Sequence, residues 1–209
     1  MLKHAKKAII FDLDNTIYPV AAIGPELFAG LYEMIEQDAS YRGKIGDVKD
    51  AVERKPFQVV AKEFLFSADL TFKGLKFLSD IECTGEIHPF EDYQYTKDIN
   101  CIKFLVTTGF TKLQWSKIRV MRLENDFKEC FVVDPSISSQ TKKDVFGEIM
   151  NKYGLIPEEV LVVGDDIHSE ITAAQELSID AVVYDYSKKY THLSGYNVIT
   201  DFAELNDFM

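Results

Sequence analysis

Five short apolar runs, at 8–13, 102–106, 130–133, 160–163 and 181–184, most constrain what this chain can fold into. Ala8-Ile9-Ile10-Phe11 and Val160-Leu161-Val162-Val163 show no alternation of apolar with polar residues, so neither face of these strands is meant for water. That is the pattern of parallel strands covered on both sides. Helix-length stretches separate the later runs, at 112–121, at 144–153 with Gly154 as a stop, and at 169–177. Strand and helix in alternation predict an α/β fold with a doubly wound parallel sheet. With 209 residues, 46% of them hydrophobic, the chain can fill one such core and a smaller appended unit.

The smaller unit falls between the first two runs. Residues 18–95 contain no convincing core strand and read as helical, with segments at 26–37 opened by Pro25, and at 46–54, 57–66 and 70–78. Leu27, Leu31, Met34 and Ile35 lie on one stripe of the first. The aromatics Phe28, Tyr32, Phe57, Phe64, Phe66, Phe72 and Phe77 recur at helical spacing, which predicts a local core rather than a substrate cage. The expected organisation is a core of 1–17 and 96–209 with a helical cap of 18–95. Tyr18 and Pro19, at the junction, are candidates for a flap or hinge lining a pocket.

The strand ends carry the chemistry. The first run delivers Asp12-Leu13-Asp14-Asn15-Thr16, and side chains two apart on a strand share a face unless the chain turns. Two adjacent carboxylates are costly without a cation. They suit a hard divalent ion, Mg²⁺ in particular, whose shell is completed by water and substrate phosphate. The fourth run ends in Gly164-Asp165-Asp166, followed by Glu170, at the edge where open α/β sheets bind ligands. The second ends in Thr107-Thr108-Gly109, whose hydroxyls can hydrogen-bond a phosphoryl oxygen. Lys142 and Lys143 precede a helix, and either can neutralise charge on a transferring phosphoryl group.

In order and spacing these four segments resemble the motifs of the haloacid dehalogenase superfamily of aspartate-nucleophile phosphohydrolases, over residues 8 to about 185. Asp12, Asp14 and Thr16 match its first motif, Thr107 its second, Lys142 or Lys143 its third, and Gly164, Asp165 and Glu170 its fourth. Phe146, four residues after Lys142, favours that lysine. Glu170 stands where Asp is commoner, Thr108 where Asn is, and Lys143 where Pro is frequent. No required chemical group is lost.

The resemblance implies a Rossmann-like core with the insertion as a cap, and a Mg²⁺-dependent phosphatase. It implies Asp12 as nucleophile, Asp14 as acid and base, and Mg²⁺ on the Asp12 carboxylate, the Asp14 backbone carbonyl and Asp165. Thr107, Thr108, Gly109 and Lys142 would bind the phosphoryl group, while Glu170 and Asp166 orient water or Lys142. The acid/base role requires a carboxyl group that titrates near neutral pH. The implied substrate is a small phosphorylated metabolite, a sugar phosphate or a nucleoside monophosphate; residues 12–19 resemble a subgroup that includes pyrimidine nucleotidases. The alternatives on the same fold are a phosphomutase and a non-catalytic phosphate-binding or signalling protein. A dehalogenase is disfavoured because Asp14 is present.

Other classes fall away. No GxGxxG follows the first strand, which argues against a dinucleotide site. A receiver-type signalling module would carry its phosphorylated Asp at the third strand with a helix starting close behind, and Asp134-Pro135 lacks that helix start. The net charge of −11, from 23 basic and 34 acidic residues, argues against a nucleic-acid polymer as partner. No run of 18 apolar residues predicts a membrane span. Met1 to Lys7 leads into the first strand without a cleavable signal segment, and Cys83, Cys101 and Cys130 lack paired spacing; both point to a cytoplasmic protein with reduced thiols. His4, His88, His168 and His192 are scattered without metal-ligand spacing and read as structural or surface residues, His168 alone lying near the site.

Overall fold

The computed structural model describes residues 5–190 and 194–209, so the readings of His4 and His192 lie outside the described residues. Six parallel strands form one sheet: β1 (Ala8–Phe11), β2 (Ile102–Thr108), β3 (Glu129–Val133), β4 (Val160–Gly164), β5 (Asp180–Tyr184) and β6 (Asn197–Ile199). Their order is β3-β2-β1-β4-β5-β6, the doubly wound arrangement. The expected strands are all present. β6 was not expected, since a three-residue edge strand beginning with Asn197 carries almost no apolar pattern.

Every residue of β1 and β4 is buried, as their unbroken apolar runs require. Ile9 and Phe11 point to one face, joining Leu105, Leu161, Val163 and Phe202. Ala8 and Ile10 point to the other, joining Phe104, Val106, Val162, Phe146 and Ile149. Helix α7 (Lys142–Tyr153) covers that second face, together with α8 (Thr172–Glu176). The first face is covered by α6 (Thr111–Val120), by the turn Phe202–Phe208 and by the insertion between β1 and β2.

The insertion is helical, as its sequence predicts: α1 (Gly24–Leu27), α2 (Ala29–Gln37), α3 (Ile45–Val52), α4 (Phe57–Glu63) and α5 (Ala68–Asp80). The single helix expected over 26–37 is interrupted at Phe28. Leu31 and Ile35 hold its buried stripe, with Leu27 and Met34 packed at the margin. Phe72 departs from expectation: it lies on the outer side of α5 and is 68% exposed. After α5 the chain returns to the core, where Ile87, Phe90 and Tyr93 pack and the 3₁₀ stretch Glu91–Asp98 meets the Phe202–Phe208 turn. None of the described helices is long and apolar enough to cross a membrane. All three cysteines are free thiols.

Strand register brings the polar ends level. Phe11 sits opposite Leu105 on β2 and Val163 on β4, so Asp12, Thr107 and Asp165 all emerge at one C-terminal edge, beside the point where the strand order reverses.

Candidate active site

Asp12 is anchored as an extension of β1, its N–H donating to the Val163 carbonyl at 2.9 Å. The chain then turns, with the Ile17 N–H on the Leu13 carbonyl and Asn15 in the left-handed region at φ +58°. Asn15 suits that conformation, and its side chain accepts from the Val20 N–H. The turn separates the two acids of the first motif, and each is held differently.

Asp12 faces Lys142. Thr141 caps α7 in a reciprocal capping box with Asp144, which makes Lys142 the first helical residue and starts the helix two residues before the expected 144. Lys142 Nζ donates to Asp12 Oδ1 at 2.6 Å and to Glu170 Oε2 at 2.7 Å, with only 7% of the lysine exposed. Lys143 turns outward, 44% exposed, and pairs with Glu176. The helix phase therefore selects Lys142. Glu170 also accepts from the Asp166 N–H, and it rests on Gly164, where a Cβ would come within 2.2 Å of its Oε1. Ligand oxygens of Asp12, Asp165 and Glu170 lie within 4.8 Å of one another.

Three carboxylates thus crowd together beside one lysine, which pairs with two of them. Burial pushes the Asp12 carboxyl up to about 7, with Glu170 and Asp14 adding to the shift and Lys142 offsetting part of it. Burial, with Asp12 and Glu170 close by, pushes Asp165 up to about 9. Lys142 is raised, because its two carboxylates outweigh the cost of burying its charge. This deficit of positive charge among hard oxygen donors fits a divalent ion of the Mg²⁺ class. Asp166 instead caps the π-wound segment Ile167–Ile171, accepting from the His168 N–H. The sequence predicts an α-helix from 169, whereas the structure winds this segment as a π-helix, a form that recurs at functional sites.

Asp14 has no part in the carboxylate cluster. Its Oδ1 accepts from Lys117 Nζ at 2.8 Å and from the Tyr18 hydroxyl, and its Oδ2 from Gln114 Nε2 at 2.7 Å. Burial alone would raise this carboxyl, but the Lys117 ammonium and these hydrogen bonds overcome it and hold Asp14 below the ordinary carboxylate range. The expected titration near neutral pH is therefore not a property of Asp14 in this arrangement. Nor do Tyr18 and Pro19 line the cavity; Tyr18 is fully buried beneath it.

Thr107, buried at the end of β2, accepts from Gln114 Nε2 at 2.6 Å. Gln114 and Lys117 lie outside the four sequence segments that carry the expected chemistry. Nine of the sequence-predicted site residues, Asp12, Asp14, Thr107, Thr108, Gly109, Lys142, Asp165, Asp166 and Glu170, line one cavity of about 860 Å³. His168 lines it too, whereas His88 sits on the surface against Glu86. Opposite the strand ends the insertion contributes Phe28, Val52, Arg54, Phe57 and Leu78.

The profile of the haloacid dehalogenase-like hydrolases matches residues 6–177. This chain belongs to that family and is an enzyme, a hydrolase. A glyceraldehyde 3-phosphate phosphatase of Methanopyrus kandleri is 22% identical over 199 residues, covering 84% of this chain and 82% of its own. One from Methanothermobacter thermautotrophicus is 22% identical over 231 residues, covering 97% and 99%. Among solved structures, a haloacid dehalogenase-like hydrolase from Streptococcus pneumoniae superposes with a TM-score of 0.74 at 14% identity, covering 98% and 99%. CbbY from Rhodobacter sphaeroides, in complex with phosphate, gives 0.68 at 15% identity, covering 96% of each chain. These two establish the likeness of fold.

Proposed function

We propose that this phosphoric monoester hydrolase is a Mg²⁺-dependent phosphatase that passes through an aspartyl-phosphate. The observation that carries the reading is the meeting of Asp12, Lys142, Asp165 and Glu170 at one cavity that Thr107 and Asp14 also line. Asp12 Oδ attacks phosphorus; the Asp12–phosphorus bond forms as the phosphorus–leaving-oxygen bond breaks. Asp14 gives a proton to the leaving oxygen. It then takes one from the water that attacks the acyl phosphate, releasing inorganic phosphate and free Asp12. Proton transfer of this kind is worth roughly 100- to 10,000-fold. Asp14 is ionised at rest, and the approach of an anionic phosphate raises its proton affinity, which loads the acid. Thr107 donates to a phosphoryl oxygen, and Lys142 neutralises charge beside Asp12.

Asp12, Asp165 and the Asp14 backbone carbonyl would hold the Mg²⁺, with Glu170 and Asp166 in support. When bound, the ion offsets the repulsion between a carboxylate nucleophile and a phosphate. The substrate is a small phosphorylated metabolite. The relatives named for glyceraldehyde 3-phosphate favour a sugar phosphate over a nucleoside monophosphate, and the cavity has room for either. The insertion, taken as residues 18–95, acts as a cap that shields the reaction from water and contacts the distal part of the substrate. A cytoplasmic setting fits the three unpaired thiols.

The test is hydrolysis of p-nitrophenyl phosphate with and without Mg²⁺ by the wild type and Asp12→Asn. Turnover is expected only for the wild type with the ion, and equal rates from the two proteins sink the reading. A panel of sugar phosphates and nucleoside monophosphates then ranks substrates by kcat/KM, and release of inorganic phosphate separates a phosphatase from a mutase.

A further inference from the structure

Two of the buried polar side chains of α6, Gln114 and Lys117, lie one turn apart and reach into the site. Lys117, 3% exposed, places Nζ 2.8 Å from Asp14 Oδ1 and 5.8 Å from the centre of the Tyr18 ring. Gln114 Nε2 lies 2.7 Å from Asp14 Oδ2 and 2.6 Å from Thr107 Oγ1. An ionised carboxylate only accepts, so the amide must turn its NH₂ towards Asp14, and its second hydrogen then falls on Thr107. With an oxygen lone pair of Thr107 occupied in this way, the threonine's own hydrogen is left to donate elsewhere.

We propose that Gln114 and Lys117 are positioning residues which fix the Asp14 carboxylate for proton transfer and, through Gln114, fix Thr107 as a hydrogen-bond donor to the phosphoryl group. This inference rests on the phosphatase reading and adds two residues to it. Hydrogen bonds tie the helix that carries the clamp to its neighbours. Thr111 at the start of α6 donates through its N–H and hydroxyl to Asp134, at 2.7 and 2.9 Å. On the face towards the end of α5, Lys112 Nζ donates to the Asp80 carbonyl at 2.6 Å, and Ser116 Oγ accepts from the Cys83 N–H at 2.8 Å. Lys117, beside the Tyr18 hydroxyl, binds one oxygen of Asp14 and Gln114 binds the other, so together these donors set both the position and the plane of the carboxylate. Pre-set orientation of a catalytic group is a large part of what an active site supplies.

The two residues have separable consequences. Protonation of the leaving oxygen matters for an alkoxide, a poor leaving group, and much less for p-nitrophenolate. Loss of either residue therefore lowers kcat/KM for an alkyl phosphate by more than for p-nitrophenyl phosphate, with roughly 100-fold expected for the alkyl ester. Only Gln114 touches Thr107, so only its loss also weakens inhibition by inorganic phosphate.

The experiment compares wild type, Lys117→Met, Lys117→Arg and Gln114→Ala, with folding checked by thermal unfolding. It measures kcat/KM for both esters and the inhibition constant of inorganic phosphate. Lys117→Met is expected to raise the aryl-to-alkyl ratio of kcat/KM and leave phosphate affinity near wild type, while Lys117→Arg recovers part of the alkyl activity. Gln114→Ala is expected to raise the ratio and weaken phosphate inhibition. Should Lys117→Met not fold, Gln114→Ala, which removes no charge, decides the matter. Folded variants that lose equally on both esters overturn the clamp and leave the phosphatase reading intact. That reading is tested separately by wild-type turnover with Mg²⁺.

Discussion

Lys142 and Lys143 are adjacent in sequence, chemically identical and opposite in consequence, so replacing each with Met gives a sharp test of the site. Lys142→Met removes the contacts at 2.6 Å to Asp12 and 2.7 Å to Glu170 and leaves those carboxylates buried beside Asp165. Breaking a buried ion pair from one side costs about 3–5 kcal/mol. For a chain of this length each kcal/mol lowers Tm by about 2–4 °C, so a fall of about 6–20 °C is expected. Asp12 already sits near 7 and can take up a proton when its partner leaves, which places the loss towards the lower end at pH 6 and deepens it at pH 8. Lys143→Met removes a contact in which both side chains are about half exposed, worth about 0.2–1 kcal/mol. Its Tm should stay within about 4 °C of wild type. Thermal unfolding at pH 6 and 8, with chelator and with Mg²⁺, reads these numbers. Mg²⁺ should restore part of the loss in Lys142→Met, because it compensates the same carboxylates. A Lys143→Met protein destabilised as much as Lys142→Met would refute the assignment of the lysine and the electrostatic argument with it.

Three further outcomes follow from the same geometry. Gly164→Ala places a methyl within 2.2–2.5 Å of the Glu170 carboxyl group and Cγ, so it should displace Glu170, loosen Lys142 and cut kcat severalfold or more; wild-type kcat would count against the packing argument. Thr141→Ala removes the side-chain cap of α7 and should cost about 1 kcal/mol by urea unfolding, with a larger fractional loss of activity than its stability suggests, because Lys142 is the next residue. Chelated protein should lose stability as pH rises. Asp165 at about 9 and Asp12 at about 7 lie above their ordinary 3.8, so the folded state binds more protons than the unfolded one across that window, and each uncompensated group contributes a slope of up to about 1.4 kcal/mol per pH unit. Mg²⁺ binds the ionised carboxylates and should flatten the curve. Urea midpoints at pH 5, 7 and 9 that do not fall in chelator would contradict the charge deficit at the site.

The sheet was legible because strands buried on both faces need uninterrupted apolar residues, and Ala8–Phe11 and Val160–Gly164 have them. β6 was not, since Asn197–Ile199 gains its place from pairing with Val182–Tyr184 and not from its own pattern. Phe72 shows the limit of helical periodicity: spacing identifies a helix but not which of two faces meets the core. The choice between Lys142 and Lys143 was readable in principle. Thr141 and Asp144 form a capping box, and a helix capped by Thr141 has its phase fixed, with Lys142 and Lys143 about 100° apart around the axis.

Gln114 and Lys117 carried a weaker but real signal. On α6 the buried positions are Leu113, Gln114, Ser116, Lys117 and Ile118, so an amide and an ammonium occupy core-facing places on a helix that begins three residues after Thr108. A lysine buried without a counter-charge is expensive, so its position on the apolar stripe implies a carboxylate nearby. Sequence alone cannot choose which. Asp14 becomes the partner only because the chain turns after Leu13 instead of continuing β1, which takes its carboxylate away from Asp165 and Glu170 and towards α6. The turn thus divides the work of two acids that are neighbours in sequence. One is left short of positive charge, which suits the metal-binding nucleophile proposed for Asp12, and the other is surrounded by donors, which suits a carboxylate proposed to hold one orientation.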